Sequence, residues 1–133
     1  MGLGLHGGGL SVTKWLLDKG AQVTVTDLRT ARILEPSLKE LRIFCKTNKI
    51  PIPRLVLGKH LLGDFKSSDL IIQNPGVPRD SKYLSAARKK QIPIYKEASL
   101  FFSLVSMPVI AVSGAKGKST TTTLLGLIFM QSV

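Results

Sequence analysis

Val109 to Leu125 reads VIAVSGAKGKSTTTTLL, an apolar run, a glycine-rich turn and a helix-compatible tail in immediate succession. The spacing predicts a buried strand over Val109–Val112, a phosphate-binding loop over Gly114–Thr120, and a helix from Lys118 to about Met130 packed through Leu124, Leu125 and Ile128. Glycines let backbone amides curl around phosphate oxygens, and the start of a helix adds partial positive charge. In that arrangement Gly114, Ala115, Lys116, Gly117, Lys118, Ser119 and Thr120 form the cradle. The Lys118 amine reaches the terminal phosphates of a nucleoside triphosphate, and the Ser119 hydroxyl reaches its magnesium ion. The usual pattern G-x-x-x-x-G-K-[ST] wants glycine at position 112, where this chain has Val112, so the loop is a shortened variant. The alternative is a strand-to-helix turn with no ligand.

Upstream, a second glycine cluster opens the chain. Gly2, Gly4 and Gly7 match G-x-G-x-x-G, and Asp27 follows twenty residues after Gly7. That pattern suits a diphosphate over a helix N-terminus with an acidic side chain near the ribose or base, though a structural turn is the other reading. Val12, Trp15 and Leu16 mark the helix, which stops at Lys19-Gly20. Gln22–Thr26 alternates and is β-branched, hence a strand ending at Asp27-Leu28-Arg29. A helix over about Ala31–Asn48 carries Leu34, Leu38, Leu41 and Cys45 on one stripe, with Pro36 as a point of restart. Short strands are expected at Arg54–Leu57, Asp69–Gln73 (closed by Asn74-Pro75-Gly76) and Pro93–Tyr95, and helices at Ser81–Lys90 and Glu97–Leu104.

Strands alternating with helices predict an α/β fold, a Rossmann-like open, mostly parallel sheet with helices on both faces. The expected division is residues 1–106 as that domain and 107–133 as the first strand-loop-helix of a P-loop ATPase domain. The first glycine loop presupposes a strand before it, where only Met1 stands, and the last helix presupposes a strand after it. Both ends therefore read as cut.

The bulk properties narrow the function. With 133 residues and 44% apolar side chains the chain can build one core, and its apolar runs are too interrupted for a membrane span. No signal peptide is evident, and the single cysteine, Cys45, suits a reducing compartment, so a cytoplasmic location is expected. The net charge of +11 draws polyanions, but its carriers (Lys39, Arg42, Lys46 and Lys49, then Lys82, Arg88, Lys89 and Lys90) are scattered along helical segments without interleaved aromatics. Solvated helix faces explain them better than a nucleic-acid groove, and no nucleic-acid partner is expected. His6 falls inside the first loop; His60 is expected in a surface turn without function. Two distant histidines and one cysteine make no metal set.

The combination of Gly2-Leu3-Gly4-Leu5, Thr26-Asp27-Leu28-Arg29, Asn74-Pro75-Gly76-Val77 and Val112–Leu125 (VSGAKGKSTTTTLL) resembles the Mur ligase family, nearest its D-glutamate-adding members. The resemblance implies a substrate domain, a central ATPase domain and a C-terminal domain for the incoming amino acid, acting as a monomer when full length. It implies ATP and magnesium as cofactors, UDP-N-acetylmuramoyl-L-alanine and D-glutamate as substrates, and an acyl phosphate on the path to an amide. By the same likeness Leu5 and His6 would lie against the UDP diphosphate, Asp27 with Arg29 would hold the uracil, Gly76 would offer its backbone amide nearby, and Gly4, Leu28 and Asn74 would complete the UDP-substrate set. Lys118 would be the catalytic group and Ser119 the magnesium contact. The 133 residues alone would be inactive. Family members often carry a small hydroxyl residue where His6 and Leu28 stand. A sister ligase, a folylpolyglutamate-type enzyme and a basic NTP-dependent nucleic-acid-associated protein are the alternatives.

Overall fold

A computed structural model describes residues 1–5 and 7–131. In chain order the elements are α1 (Gly8–Asp18), β1 (Thr24–Asp27), α2 (Ala31–Thr47), β2 (Arg54–Leu57), α3 (Asp64–Ser67), β3 (Ile71–Gln73), α4 (Lys82–Lys89), β4 (Ile94–Lys96), α5 (Glu97–Leu104) and α6 (Lys118–Gln131). β1 pairs with β2 and β3 with β4, both parallel, so the α/β expectation holds.

Residues 1–3 join the two strand pairs. The Gly2 amide donates to the Thr26 carbonyl at 2.7 Å on one side. On the other, the Met1 amine donates to the Ile72 carbonyl at 2.8 Å and the Asn74 amide to the Met1 carbonyl at 2.9 Å. These bonds set the order β2, β1, residues 1–3, β3, β4. The opening residues thus act as the end of a central strand although too short to count as one.

Helix α2 shows why the apolar stripe predicts the core. Leu34, Leu38, Leu41 and Cys45 recur every three or four residues, and all are buried with Leu3, Leu10, Leu17 and Val25. Each buried leucine contributes about 1.5–3 kcal/mol of stabilisation. Pro36 does not restart the helix, which runs unbroken through it. Only the Arg32 carbonyl, on an exposed residue, forfeits its partner. A second cluster, Phe65, Ile71, Leu84 and Ala87, packs beneath β3 and β4.

Three expectations fail. In α1 the buried residues are Leu10, Thr13 and Leu17, while Trp15 is 41% exposed. The helix begins at Gly8 and turns Leu10 inward, which shifts the stripe by one position from Val12, Trp15 and Leu16. Val109–Val112 forms no strand; its residues pair with nothing and are largely exposed. Helix α6 buries no residue either, and Leu124 and Ile128 stand 55% and 57% exposed. An apolar run becomes a buried strand only where a sheet edge receives it, and none of the described strands lies beside this one.

Candidate functional site

The first glycine loop is built by close backbone approach. Gly2 has φ 82°, and a Cβ there would lie 2.8 Å from the Asn74 Cβ. At Gly9 a Cβ would lie 2.4 Å from the Gly2 carbonyl oxygen and 2.5 Å from that of Leu3. Glycine at position 9 is what lets α1 pack directly on the central residues. Sequence reading credited Gly7 with closing the motif and missed Gly9. The signal lay in the run Gly7-Gly8-Gly9, longer than the motif requires.

Asp27 ties this loop to the end of β1. One carboxylate oxygen accepts the Gly4 amide at 3.1 Å and the other the Arg29 amide at 2.9 Å. The Ser37 hydroxyl donates to the Gly4 carbonyl at 2.8 Å, so α2 also grips the loop. Asp27 is buried, yet a carboxylate has room for further donors beyond these two. Across the gap, Asn74 Oδ1 accepts the Gly76 amide at 3.1 Å, which shapes the Asn74-Pro75-Gly76 turn.

These parts converge. A cavity of about 530 Å³ is lined by Gly4, Asp27, Leu28, Arg29, Asn74 and Gly76 together with His60 and Tyr83. Of the predicted substrate residues the structure brings six together here. Leu5 is exposed on the same loop, and His6 lies outside the described residues.

His60 overturns its expected place in a surface turn. It is buried, its Nδ1 lies 2.6 Å from the Thr26 hydroxyl, and its ring meets Phe65 and Tyr83 edge-on at centroid distances of 5.6 and 5.0 Å. Burial, helped by the Met1 amino group, lowers its pKa below the usual histidine value. A neutral imidazole at the cavity wall follows.

The second loop is separate. Residues 114–120 are exposed, Gly117 has φ 79°, and α6 starts at Lys118 as expected. The Lys118 amine folds back to donate to the Gly114 carbonyl, and the Thr121 amide donates to the Gly117 carbonyl at 2.9 Å. The lysine thus closes over its own turn. Among the described residues no group of three His, Cys, Asp or Glu is placed to hold a metal ion. Ser119 therefore offers one hydroxyl, which fits magnesium only as a companion to phosphate oxygens and water. No helix among the described residues is long and apolar enough to cross a membrane.

A glycine turn, an acidic strand end and an asparagine turn meet around one cavity of an α/β domain. The family model for the Mur ligase MurD-like N-terminal domain matches residues 1–96. The chain belongs to the Mur ligase family and is MurD-like. It is 44% identical over 131 residues to a UDP-N-acetylmuramoylalanine–D-glutamate ligase of Roseiflexus sp. (strain RS-1), covering 98% of this chain and 27% of that protein. To the ligase of the same name from Treponema pallidum (strain Nichols) it is 45% identical over 126 residues, covering 94% and 23%. The chain thus spans about a quarter of the length of these relatives. A pseudomurein peptide ligase type C from Methanothermus fervidus is similar at 26% identity and TM-score 0.48, over 89% of this chain and 22% of that one.

Proposed function

We propose that the chain supplies the nucleotide-substrate site and the opening of the ATP site of a ligase that adds D-glutamate to UDP-N-acetylmuramoyl-L-alanine. The observation that carries this is the convergence of Gly4, Asp27, Arg29, Asn74 and Gly76 on one cavity. Residues 1–106 form a Rossmann-like substrate domain with helices on both faces, and residues 107–133 begin the ATPase domain.

The uracil and ribose sit in this cavity. Asp27 accepts donors from the base, and the Arg29 guanidinium and Gly76 amide face the base and diphosphate. Leu5, His6 and the N-terminus of α1 meet the diphosphate oxygens. Asp27 acts twice, since the carboxylate that meets the ligand also fixes the Gly4 amide.

ATP binds over Gly114–Thr120. Its phosphates displace the Gly114 carbonyl from the Lys118 amine, which then offsets charge on the transferred γ-phosphoryl group. Magnesium, when bound, neutralises the phosphate oxygens, with the Ser119 hydroxyl as one contact. A carboxylate is a poor acyl donor at neutral pH, so phosphorylation of the muramoyl-alanine carboxylate precedes attack by the D-glutamate amine. The reading carries a cytoplasmic location, a monomeric full-length enzyme, and a role in peptidoglycan synthesis and hence cell shape and division. The 133 residues alone bind without forming the amide.

Amide chemical-shift mapping of the isolated chain tests this. Addition of UDP-N-acetylmuramoyl-L-alanine should move Gly4, Leu28, Arg29 and Gly76 and leave Gly117 and Lys118 in place. Shifts confined to the second loop, or none at saturating ligand, would overturn the proposal.

A further inference from the structure

Only 8% of His60 is exposed, and it lines the cavity that also holds Asp27 and Arg29. Phe65 and Tyr83 pack edge-on against its ring, and Nδ1 meets the Thr26 hydroxyl at 2.6 Å. The other ring nitrogen, Nε2, takes no hydrogen-bond partner among the described residues. An unpaired polar atom in so buried a side chain calls for a partner from whatever occupies the cavity.

Thr26 decides what Nε2 can do. Its hydroxyl has one proton and two neighbours, Nδ1 at 2.6 Å and the Lys59 carbonyl at 3.3 Å. Aimed at Nδ1, that proton would leave the carbonyl contact unmade. Aimed at the carbonyl, it frees the hydroxyl oxygen to accept from Nδ1–H, and both contacts become hydrogen bonds. The second arrangement puts the imidazole proton on Nδ1. Burial favours the neutral ring, so Nε2 is a bare acceptor that requires a donor.

With a uridine nucleotide in the cavity, the reading on which the inference rests, the candidate donors are few. Uracil linked to its sugar carries one N–H, which that reading assigns to Asp27. The ribose carries the 2′ and 3′ hydroxyls. His60 stands beside Asp27, because Thr26 precedes Asp27 in β1 and Lys59 bridges to Asp27. In folds of this kind an acidic strand end lies next to the ribose. We propose that His60 Nε2 accepts the proton of a ribose hydroxyl, so that a nucleotide lacking that hydroxyl binds less well. Thr26 is the positioning residue that fixes the tautomer.

The test is calorimetric titration of uridine diphosphate and its 2′-deoxy and 3′-deoxy forms into the unaltered chain, His60→Phe and His60→Gln. The unaltered chain should bind one of the deoxy forms at least fivefold more weakly than the parent. His60→Phe keeps a ring but no acceptor, so that preference should fall below twofold. His60→Gln can bring an amide oxygen to the place of Nε2 and should keep it at threefold or more, which a merely structural role would not explain. Equal affinity for the three nucleotides in the unaltered chain, or an undiminished preference in His60→Phe, would overturn the proposal and leave the nucleotide site standing. Absence of any uridine diphosphate binding would overturn the nucleotide site and the proposal together. Imidazole ¹⁵N spectra of the unaltered chain decide the matter even if His60→Phe does not fold. Nε2 of His60 should be unprotonated before ligand and shift upfield with uridine diphosphate, and a proton on Nε2 before ligand would refute the assignment.

Discussion

The Asp27 carboxylate accepts the Gly4 amide at 3.1 Å, binding the glycine turn to the end of β1 across twenty-three residues of sequence. The turn is therefore held in shape by the same side chain proposed to meet the ligand. Asp27→Asn places an NH₂ group against one of two backbone N–H donors. We expect a loss of about 1–3 kcal/mol in urea unfolding, from one buried donor left unpaired. Unchanged stability would show that the loop does not depend on this carboxylate.

The contact of α1 with residues 2 and 3 predicts a contrast between two glycines. Gly9→Ala drives a methyl group into the carbonyls of Gly2 and Leu3 and should cost about 1–3 kcal/mol. Gly126→Ala, in α6 with nothing within 4 Å, should be neutral or raise stability by up to about 1 kcal/mol. Urea midpoints of the two variants check this, and equal effects would refute the close approach.

Two buried bases predict acid sensitivity. The Met1 amine falls from 8.0 to about 6 on folding, and His60 is also lowered. For both groups the unfolded chain binds more protons as pH falls below its unfolded pKa, so folding stability declines with falling pH. The amine contributes on the order of 2 kcal/mol between pH 8 and 6. Acetylation of Met1 keeps an N–H for the Ile72 carbonyl but removes the charge. Urea midpoints should therefore fall between pH 8 and 6 for the free chain and fall less steeply for the acetylated one, where only His60 remains. Parallel slopes would contradict the assignment.

How much of this was legible in the sequence follows from the range of the interactions. Arg54–Leu57 and Glu97–Leu104 have the bounds expected, and β1 lies within two residues of its expected start, because local pattern decides them, alternation in the strands and an apolar run after Glu97 in the helix. The core stripe of α2 was legible for the same reason. His60 was not: its burial depends on Thr26 and Tyr83, thirty-four residues before it and twenty-three after it. Gly9 escaped because its role depends on where α1 lies against the carbonyls of residues 2 and 3. Val109–Val112 shows the converse, since an apolar run states a capacity to be buried and a neighbouring edge must realise it.

Lys118 is exposed and bonded only within its own loop, so its removal should separate binding from folding. Lys118→Ala should weaken ATP binding at least tenfold while changing stability by less than about 0.5 kcal/mol. Fluorescent-nucleotide titration and urea unfolding on one preparation check both halves. Undiminished ATP affinity would remove Lys118 from the phosphate site.

The most direct measurement is calorimetric titration of UDP-N-acetylmuramoyl-L-alanine into the unaltered chain, Asp27→Asn and Lys118→Ala. One-to-one binding is expected for the unaltered chain, at least tenfold weaker for Asp27→Asn and unchanged for Lys118→Ala. Full affinity in Asp27→Asn, or loss of affinity only in Lys118→Ala, would contradict a nucleotide-substrate site at the Asp27 cavity.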